Sequence, residues 1–173
     1  VGCMAEQYKE EMKARVPEID YVLGTFQKQS FGLILDTIES GSNLAVEEEK
    51  PAYVFATTHH EPGAFRAFVP IMHGCNNFCS YCIVPYVRGR EVSRSPRDIL
   101  SEIDSVSKAG VREVTLLGQN VNSYGASFAD PDEPRDRGAF AKLLRACGTI
   151  EGLERVRFTS PHPAEFTDDV IEA

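Results

Sequence analysis

Hydrophobic and polar positions along the chain change period several times, and each change marks an element. Helix-forming residues run unbroken from Ala5 to Arg15 and stop ahead of Pro17. Tyr21-Val22-Leu23-Gly24 reads as a short strand. Phe31 to Ser40 places Phe31, Ile34, Leu35 and Ile38 on one helical face, with Gly41 as the C-terminal stop. Residues 42–62, which carry Glu47-Glu48-Glu49-Lys50, show little periodicity and read as a linker or surface excursion.

The remainder alternates more cleanly. Phe65 to Met72 is an apolar run suited to a buried parallel strand, and a cysteine-rich loop follows it. Ser95 supplies an N-cap and Pro96 a first-turn proline, Ile99, Ile103 and Val106 recur at helical spacing, and Gly110 closes the helix. Glu113 to Gly118 is the next strand, and a polar stretch from Asn120 to Arg137 separates it from a helix over Phe140 to Cys147. Val156 to Thr159 is a third strand, and Thr167 caps a last helix. The order β-α-β-α-β-α predicts an α/β fold with a parallel sheet, either open or a section of a (β/α) barrel. Ligands in such folds gather at the C-terminal strand ends. Here those ends are the cysteine loop, the Gly118-Gln119-Asn120 turn and Ser160-Pro161-His162-Pro163.

With 42% hydrophobic and 25% charged residues, the 173-residue chain has enough apolar material for a packed core and is not a disordered segment. Its charge of −8 is uneven: residues 1–63 hold 11 acids and 5 bases, the rest 15 and 13. The boundary falls near Pro62–Gly63, which gives two expected domains, 1–62 and 63–173. Such a chain attracts nucleic acid only through a local basic site. The longest apolar runs fall far short of the ~20 residues that cross a bilayer, and no charged-then-apolar leader opens the chain, so no membrane partner and a cytoplasmic location are expected. Val1 in place of Met, and a final helix cut at Ala173, read as a fragment of a longer protein.

Three of the five cysteines crowd into Cys75-x-x-x-Cys79-x-x-Cys82, which points to metal. A structural zinc normally wants four closed protein ligands, and the nearest fourth donor is His73. Thiolate is also the standard donor to iron–sulfur clusters, and a four-iron cluster held by three cysteines keeps one iron open to an external chelator. The spacing resembles that of the radical S-adenosylmethionine superfamily. That resemblance implies a [4Fe-4S] cluster on Cys75, Cys79 and Cys82, with the open iron taking the amino and carboxylate groups of S-adenosylmethionine and Tyr81 lying against its adenine.

The surrounding words narrow the resemblance. Met72-His73-Gly74-Cys75-Asn76-Asn77-Phe78-Cys79-Ser80-Tyr81-Cys82-Ile83-Val84-Pro85, continuing through Arg88-Gly89-Arg90-Glu91-Val92-Ser93-Arg94, is similar to the methylthiotransferases. Leu117-Gly118-Gln119-Asn120-Val121-Asn122-Ser123-Tyr124-Gly125 resembles the MiaB type, which thiomethylates isopentenyladenosine in tRNA, and Phe158-Thr159-Ser160-Pro161-His162-Pro163 agrees. Val1-Gly2-Cys3-Met4-Ala5-Glu6 looks like the last cysteine segment of the family's N-terminal domain, which holds a second [4Fe-4S] cluster through three cysteines. Cys3 is the one member present here, its two partners lying upstream; by physics alone it reads as a small buried hydrophobe. The implied fold is the first part of a radical SAM (β/α) barrel preceded by the C-terminal part of a small α/β methylthiotransferase domain. The implied reaction is cleavage of S-adenosylmethionine to a deoxyadenosyl radical that opens the adenine C–H, followed by insertion of a methylated sulfur. The fragment alone is expected to be inactive. An electron donor such as flavodoxin or ferredoxin and the tRNA anticodon loop are the implied partners.

Gln119 and Ser160, at successive strand ends, are candidates for hydrogen bonds to the cofactor or, equally, for strand-end capping. Arg88, Arg90, Arg94 and Arg97 stand in ten residues against Glu91 alone, a local charge of +3, and suit RNA phosphate or the cofactor carboxylate. Arg97 is the weakest member, and a solvated loop is the plainer alternative. Tyr86 and Tyr124 fit either base stacking or core edges. His59-His60-Glu61 is read as surface and Cys147, on the helix face with Phe140 and Leu144, as a buried inert thiol. Two rivals stay open: a zinc-stabilised RNA-binding module without catalysis, and a methylthiotransferase acting on ribosomal protein or threonylcarbamoyladenosine.

Overall fold

The computed structural model describes residues 1–42, 53–56 and 60–173. The chain forms two compact units, one from Val1–Tyr53 with Phe78–Gly89, the other from Val54–Asn77 with Arg90–Ala173. The acidic run and His59 lie outside the described residues.

In the first unit α1 spans Cys3–Arg15 and bends at Tyr8 (φ −119°, ψ 24°). Its start is tied down by Gly2 N–H donating to Leu23 O (3.0 Å) and by Thr25 N–H donating to the Glu6 carboxylate (2.9 Å). Residues 21–24 are not a strand, contrary to the apolar reading: the Leu23 carbonyl is taken by Gly2 and the run has no strand beside it among the described residues. Its apolar character is spent on burial, with Val22 and Leu23 in the core. The second helix, α2, spans Phe31–Glu39 and closes as expected at Gly41 (φ 67°). Gly41 N–H donates to Ile38 O and Ser42 N–H to Thr37 O, the paired bonds of a Schellman motif that needs a left-handed residue. The expected inward stripe is narrower than the pattern suggests. Ile34 and Thr37 are buried, while Phe31, Leu35 and Ile38 are exposed. Thr37 tolerates burial because its hydroxyl donates to Leu33 O at 2.6 Å. A short helix, α3, spans Val84–Arg88 and ends at Gly89 (φ 75°).

The second unit contains β1 (Arg66–Pro70), β2 (Met72–His73), β3 (Val92–Ser93), α4 (Pro96–Lys108), β4 (Glu113–Leu117), α5 (Ala139–Cys147), β5 (Arg155–Phe158) and α6 (Asp168–Ile171). β1, β4 and β5 form a parallel sheet in that order, with Phe68 opposite Thr115 and Thr115 opposite Arg157. The α/β class and the parallel pairing agree with the pattern. The long apolar run is two strands rather than one. At Ile71 the chain leaves the sheet, and β2 pairs antiparallel with β3, Met72 opposite Ser93. β1 also alternates, Ala67 and Val69 buried and Phe68 54% exposed, instead of being buried on both faces.

The core is built where the amphipathic helices cover one face of the sheet. Ile99, Ile103 and Val106 of α4 and Phe140, Ala141, Leu143 and Cys147 of α5 join Val69, Val114 and Leu116. Phe140 meets Phe158 edge to face at 5.3 Å between ring centres. Ser95 holds the N-cap position of α4 with its carbonyl, which accepts Ile99 N–H, and not with its hydroxyl. Thr167 likewise directs its hydroxyl to the Asp169 carboxylate. At the opposite end of the sheet Glu113 is ion-paired with Arg155 (2.7 Å), Arg66 (3.0 Å) and Arg157 (3.2 Å). Hydrogen bonding from Arg155, reinforced by Arg157 and Arg66, holds its carboxyl below the usual range.

Phe140 is fully buried and anchors both helix and strand. Phe140→Ala is expected to lower unfolding free energy by about 3–5 kcal/mol in urea titration.

Candidate cofactor site

The parallel register brings the carboxyl ends of β1, β4 and β5 to one side of the second unit, and the polar groups there are wired to each other. Directly after β4, Gly118 allows the turn to pass Met72: a Cβ would lie 2.7 Å from Met72 Cγ and 3.1 Å from Val121 Cα. Gln119 then turns back, and its Oε1 accepts Gly74 N–H at 2.7 Å. Gly74 has φ 77° and immediately precedes Cys75, so Gln119 fixes the point where the cysteine loop departs. Asn76 Oδ1 accepts Glu91 N–H at 3.2 Å, which joins the loop to the segment leading into β3. Ser123 Oγ–H donates to Glu91 Oε2 at 2.6 Å. Asn122 grips His162 from both sides, donating to its carbonyl (2.9 Å) and accepting its N–H (2.8 Å). Ser160 is exposed in a left-handed conformation (φ 55°), and its carbonyl accepts Val121 N–H at 3.3 Å.

Asn76, Glu91, Asn122 and Ser123 of this network border a cavity of about 520 Å³ whose lining also includes Asn120, Arg137 and Glu165. Of these, Glu91, Asn120 and Asn122 escaped the sequence reading. Glu91 stood among arginines as their lone counter-charge, and the two asparagines sat inside a quoted motif without a role, so the signal was present but carried no spacing rule.

The cysteine triplet is divided between the units. Cys75 is buried in the second, where its Sγ accepts Asn77 N–H at 3.5 Å. Cys79 and Cys82 are half-buried in the first, linked by Cys82 N–H donating to Cys79 O (2.9 Å). Among the described residues, no group of three or more His, Cys, Asp or Glu side chains is placed to hold a single metal ion. The donor chemistry fits an iron–sulfur cluster: three thiols within eight residues, and a backbone N–H aimed at one sulfur, which favours a sulfur carrying negative charge. His73, the fourth donor that zinc would need, is buried in β2 opposite Val92.

The other expected site residues take several positions. Tyr81 is 90% exposed beside the cysteines. Tyr86, also exposed, meets Phe78 edge to face at 5.8 Å. Arg90 is exposed. Arg94 is corrected from an anion contact to a structural group: it is buried, with Nη1 2.6 Å from Glu102 Oε2, and its carbonyl accepts the Tyr124 hydroxyl at 2.7 Å. Glu102 supplies the counter-charge that a buried guanidinium requires. Tyr124 is likewise core, not a stacking platform, and meets Phe128 edge to face. Arg88 Nε lies 3.3 Å from Cys3 Sγ, and the Thr25 hydroxyl lies 4.0 Å from the same sulfur. Burial works to raise the Cys3 thiol, but these donors and the Arg88 charge outweigh it and hold the thiol below its ordinary value. Cys147 is the opposite case, pushed up to about 12 by burial alone.

Comparisons with known proteins give the chain a family. The model of the radical SAM superfamily matches residues 69–173, and the chain belongs to that superfamily. Within it the similarity is to particular enzymes: the chain is 56% identical to the tRNA-2-methylthio-N(6)-dimethylallyladenosine synthase of Nocardia farcinica over 99% of its own length and 35% of that protein. The proteins of the same name from Mycolicibacterium smegmatis and Mycobacterium bovis are each 55% identical over 99% of the chain and 34% of their own length. The chain thus spans about a third of these curated relatives.

Two outcomes follow from the local chemistry. Site-resolved alkylation with iodoacetamide at mildly alkaline pH is expected to modify Cys3 and spare Cys147 in the folded chain, and Arg88→Gln is expected to slow the reaction at Cys3. Glu91 is raised above its ordinary value of 4.5, by burial first and by the Glu165 charge, against the bond from Ser123. The unfolded chain therefore ionises first, and the native state loses stability as pH rises from about 4.5 through the raised value. Glu91→Gln has no such loss, so its unfolding midpoint should gain on the wild type as pH rises to neutrality and match it in acid.

Proposed function

We propose that the chain is part of a tRNA methylthiotransferase that thiomethylates isopentenyladenosine next to the anticodon, with S-adenosylmethionine as cofactor. The observation that carries the reading is Cys75-x-x-x-Cys79-x-x-Cys82, which follows β1 of the parallel α/β sheet by way of the short β2, inside the region matched by the radical SAM model. The activity for which these relatives are named supplies the substrate. In this reading residues 63–173 are the first units of a (β/α) barrel, residues 1–62 close a preceding methylthiotransferase domain, and the protein works in the cytoplasm. No helix among the described residues is long and apolar enough to cross a membrane, which is compatible with that location.

Cys75, Cys79 and Cys82 would hold the [4Fe-4S] cluster, and Cys3 would join two further cysteines of the intact protein around a second one. Bound there, the cluster and S-adenosylmethionine supply one-electron chemistry able to break a C–H bond that acid–base groups do not open. The chain's own residues set the stage. Gln119 holds Gly74 and so aims the first thiol, Asn76 ties the loop to Glu91, and Arg88 favours the anionic form of Cys3. Tyr81 and Ser160 remain available to the nucleoside cofactor, and Arg88 or Arg90 to an RNA phosphate or the cofactor carboxylate. An electron donor such as flavodoxin or ferredoxin completes the set of partners.

Anaerobic reconstitution with iron and sulfide, reduction, and EPR with and without S-adenosylmethionine tests the reading. A cubane signal that shifts with the cofactor and disappears in Cys79→Ala is the expected result. Tight binding of one zinc, with no cofactor-dependent signal from a chain shown to be folded, would favour the zinc-stabilised module instead.

A further inference from the structure

The cysteine segment of the first unit carries aromatic rings on its surface, and one of them stands on a strained backbone. Phe78 has φ 45°, a left-handed value that bulky residues rarely adopt. Its ring meets Tyr86 edge to face at 5.8 Å, with the two planes at 88°. Tyr86 belongs to α3, which packs against α1 and whose Pro85 and Val87 are buried. With a buried residue on either side, Tyr86 is turned outward and is 64% exposed. Its position is thus fixed twice, by the backbone of α3 and by the Phe78 ring, while an edge-to-face contact leaves a ring face uncovered by its partner. The chain carries −8 overall, but from Phe78 to Gly89 its one charged residue is Arg88, so no carboxylate of this segment repels a polyanion.

We propose that Tyr86, buttressed by Phe78, is the stacking platform for an unpaired base of the anticodon loop that flanks the target adenosine. This rests on the proposed function, whose chemistry calls for such a surface. An adenine C–H becomes accessible when its base leaves the stack of the loop, and the neighbouring base then loses the ring it lay on. Tyr86, four residues beyond Cys82, offers a replacement. The family resemblance gives Tyr81 to the cofactor and leaves Tyr86 without a task. Stacking on a phenol needs no charge and accepts any base, which suits a segment with a single arginine. A protein partner would draw on aliphatic side chains as well, and apart from Ile83 those of this stretch are buried or half-buried.

The chain contains no tryptophan, so Tyr86→Trp places one fluorophore at the platform. Titration of that variant, cluster-reconstituted, with an anticodon stem-loop bearing N6-isopentenyladenosine is expected to quench its emission. By anisotropy of the labelled stem-loop, Tyr86→Ala is expected to bind about tenfold more weakly and Tyr86→Phe to retain affinity. The dependence of affinity on salt should be the same in wild type and Tyr86→Ala, since a ring and not a charge is removed. If Tyr86→Ala binds the stem-loop as tightly as the wild type, or loses affinity for S-adenosylmethionine instead, the platform is refuted and the methylthiotransferase reading stands. Unchanged RNA affinity with slower reduction of the cluster by flavodoxin would assign the surface to a protein partner. A wild type that binds no stem-loop, although its EPR signal shifts with S-adenosylmethionine, refutes the platform and removes tRNA as substrate; loss of both signals removes the proposed function too. Should Tyr86→Ala fail to fold by circular dichroism, quenching in Tyr86→Trp decides.

Discussion

Parallel pairing of β1 with β4 is the constraint on which the second unit depends. Setting Phe68 opposite Thr115 and Pro70 opposite Leu117 fixes the height at which both strands end. The chain emerging from β1 and the turn emerging from β4 then lie side by side, and Gln119 can reach Gly74 with a 2.7 Å hydrogen bond. A slip of one residue would turn Ala67 and Val69 from the helix layer to the exposed face and remove the bond that anchors the cysteine loop. The hydrophobic layer therefore acts on the site indirectly. It specifies register, register specifies which strand ends meet, and those ends hold the loop.

The same economy explains why the basic stretch is not a uniform binding patch. Arg88, Arg90, Arg94 and Arg97 are close in sequence, but β3 and the start of α4 send them to different surroundings. Arg94 follows Ser93, whose backbone is hydrogen-bonded to Ser127 and Ala129, and its guanidinium ends in a buried pair with Glu102. Arg97 is at the surface beside Asp98. Arg88 is drawn to a sulfur. Charge counted along a sequence becomes a field only where the backbone keeps the groups on one surface, and here it disperses them.

The legibility of the chain follows the same division. The strands Glu113–Leu117 and Arg155–Phe158 and the helices Pro96–Lys108 and Ala139–Cys147 were readable because their periodicity is imposed by burial against one another. The Tyr21–Gly24 run failed as a strand because apolar content reports burial and not pairing, and the Leu23 carbonyl is satisfied by Gly2 N–H. The break at Ile71 was invisible because Val69, Ile71 and Met72 are all buried and continue one apolar run across it. In the site, the cysteines were legible from spacing and Gln119 from its strand-end position. Glu91 and Asn122 were not, since their partners Ser123 and His162 are 32 and 40 residues away and no local pattern records such contacts.

That last group also shows where the fold departs from its own rules. Other buried polar groups are well supplied: Glu113 by three arginines, Thr37 by a carbonyl, Asn122 by both backbone groups of His162. An unpaired buried acceptor costs about 1–3 kcal/mol, and a sequence shaped for stability alone would replace Glu91 with a group that makes no such demand. Ser123 offsets only one of the two carboxylate oxygens, and burial raises the acid above its ordinary value, so the carboxyl is held in a place it disfavours.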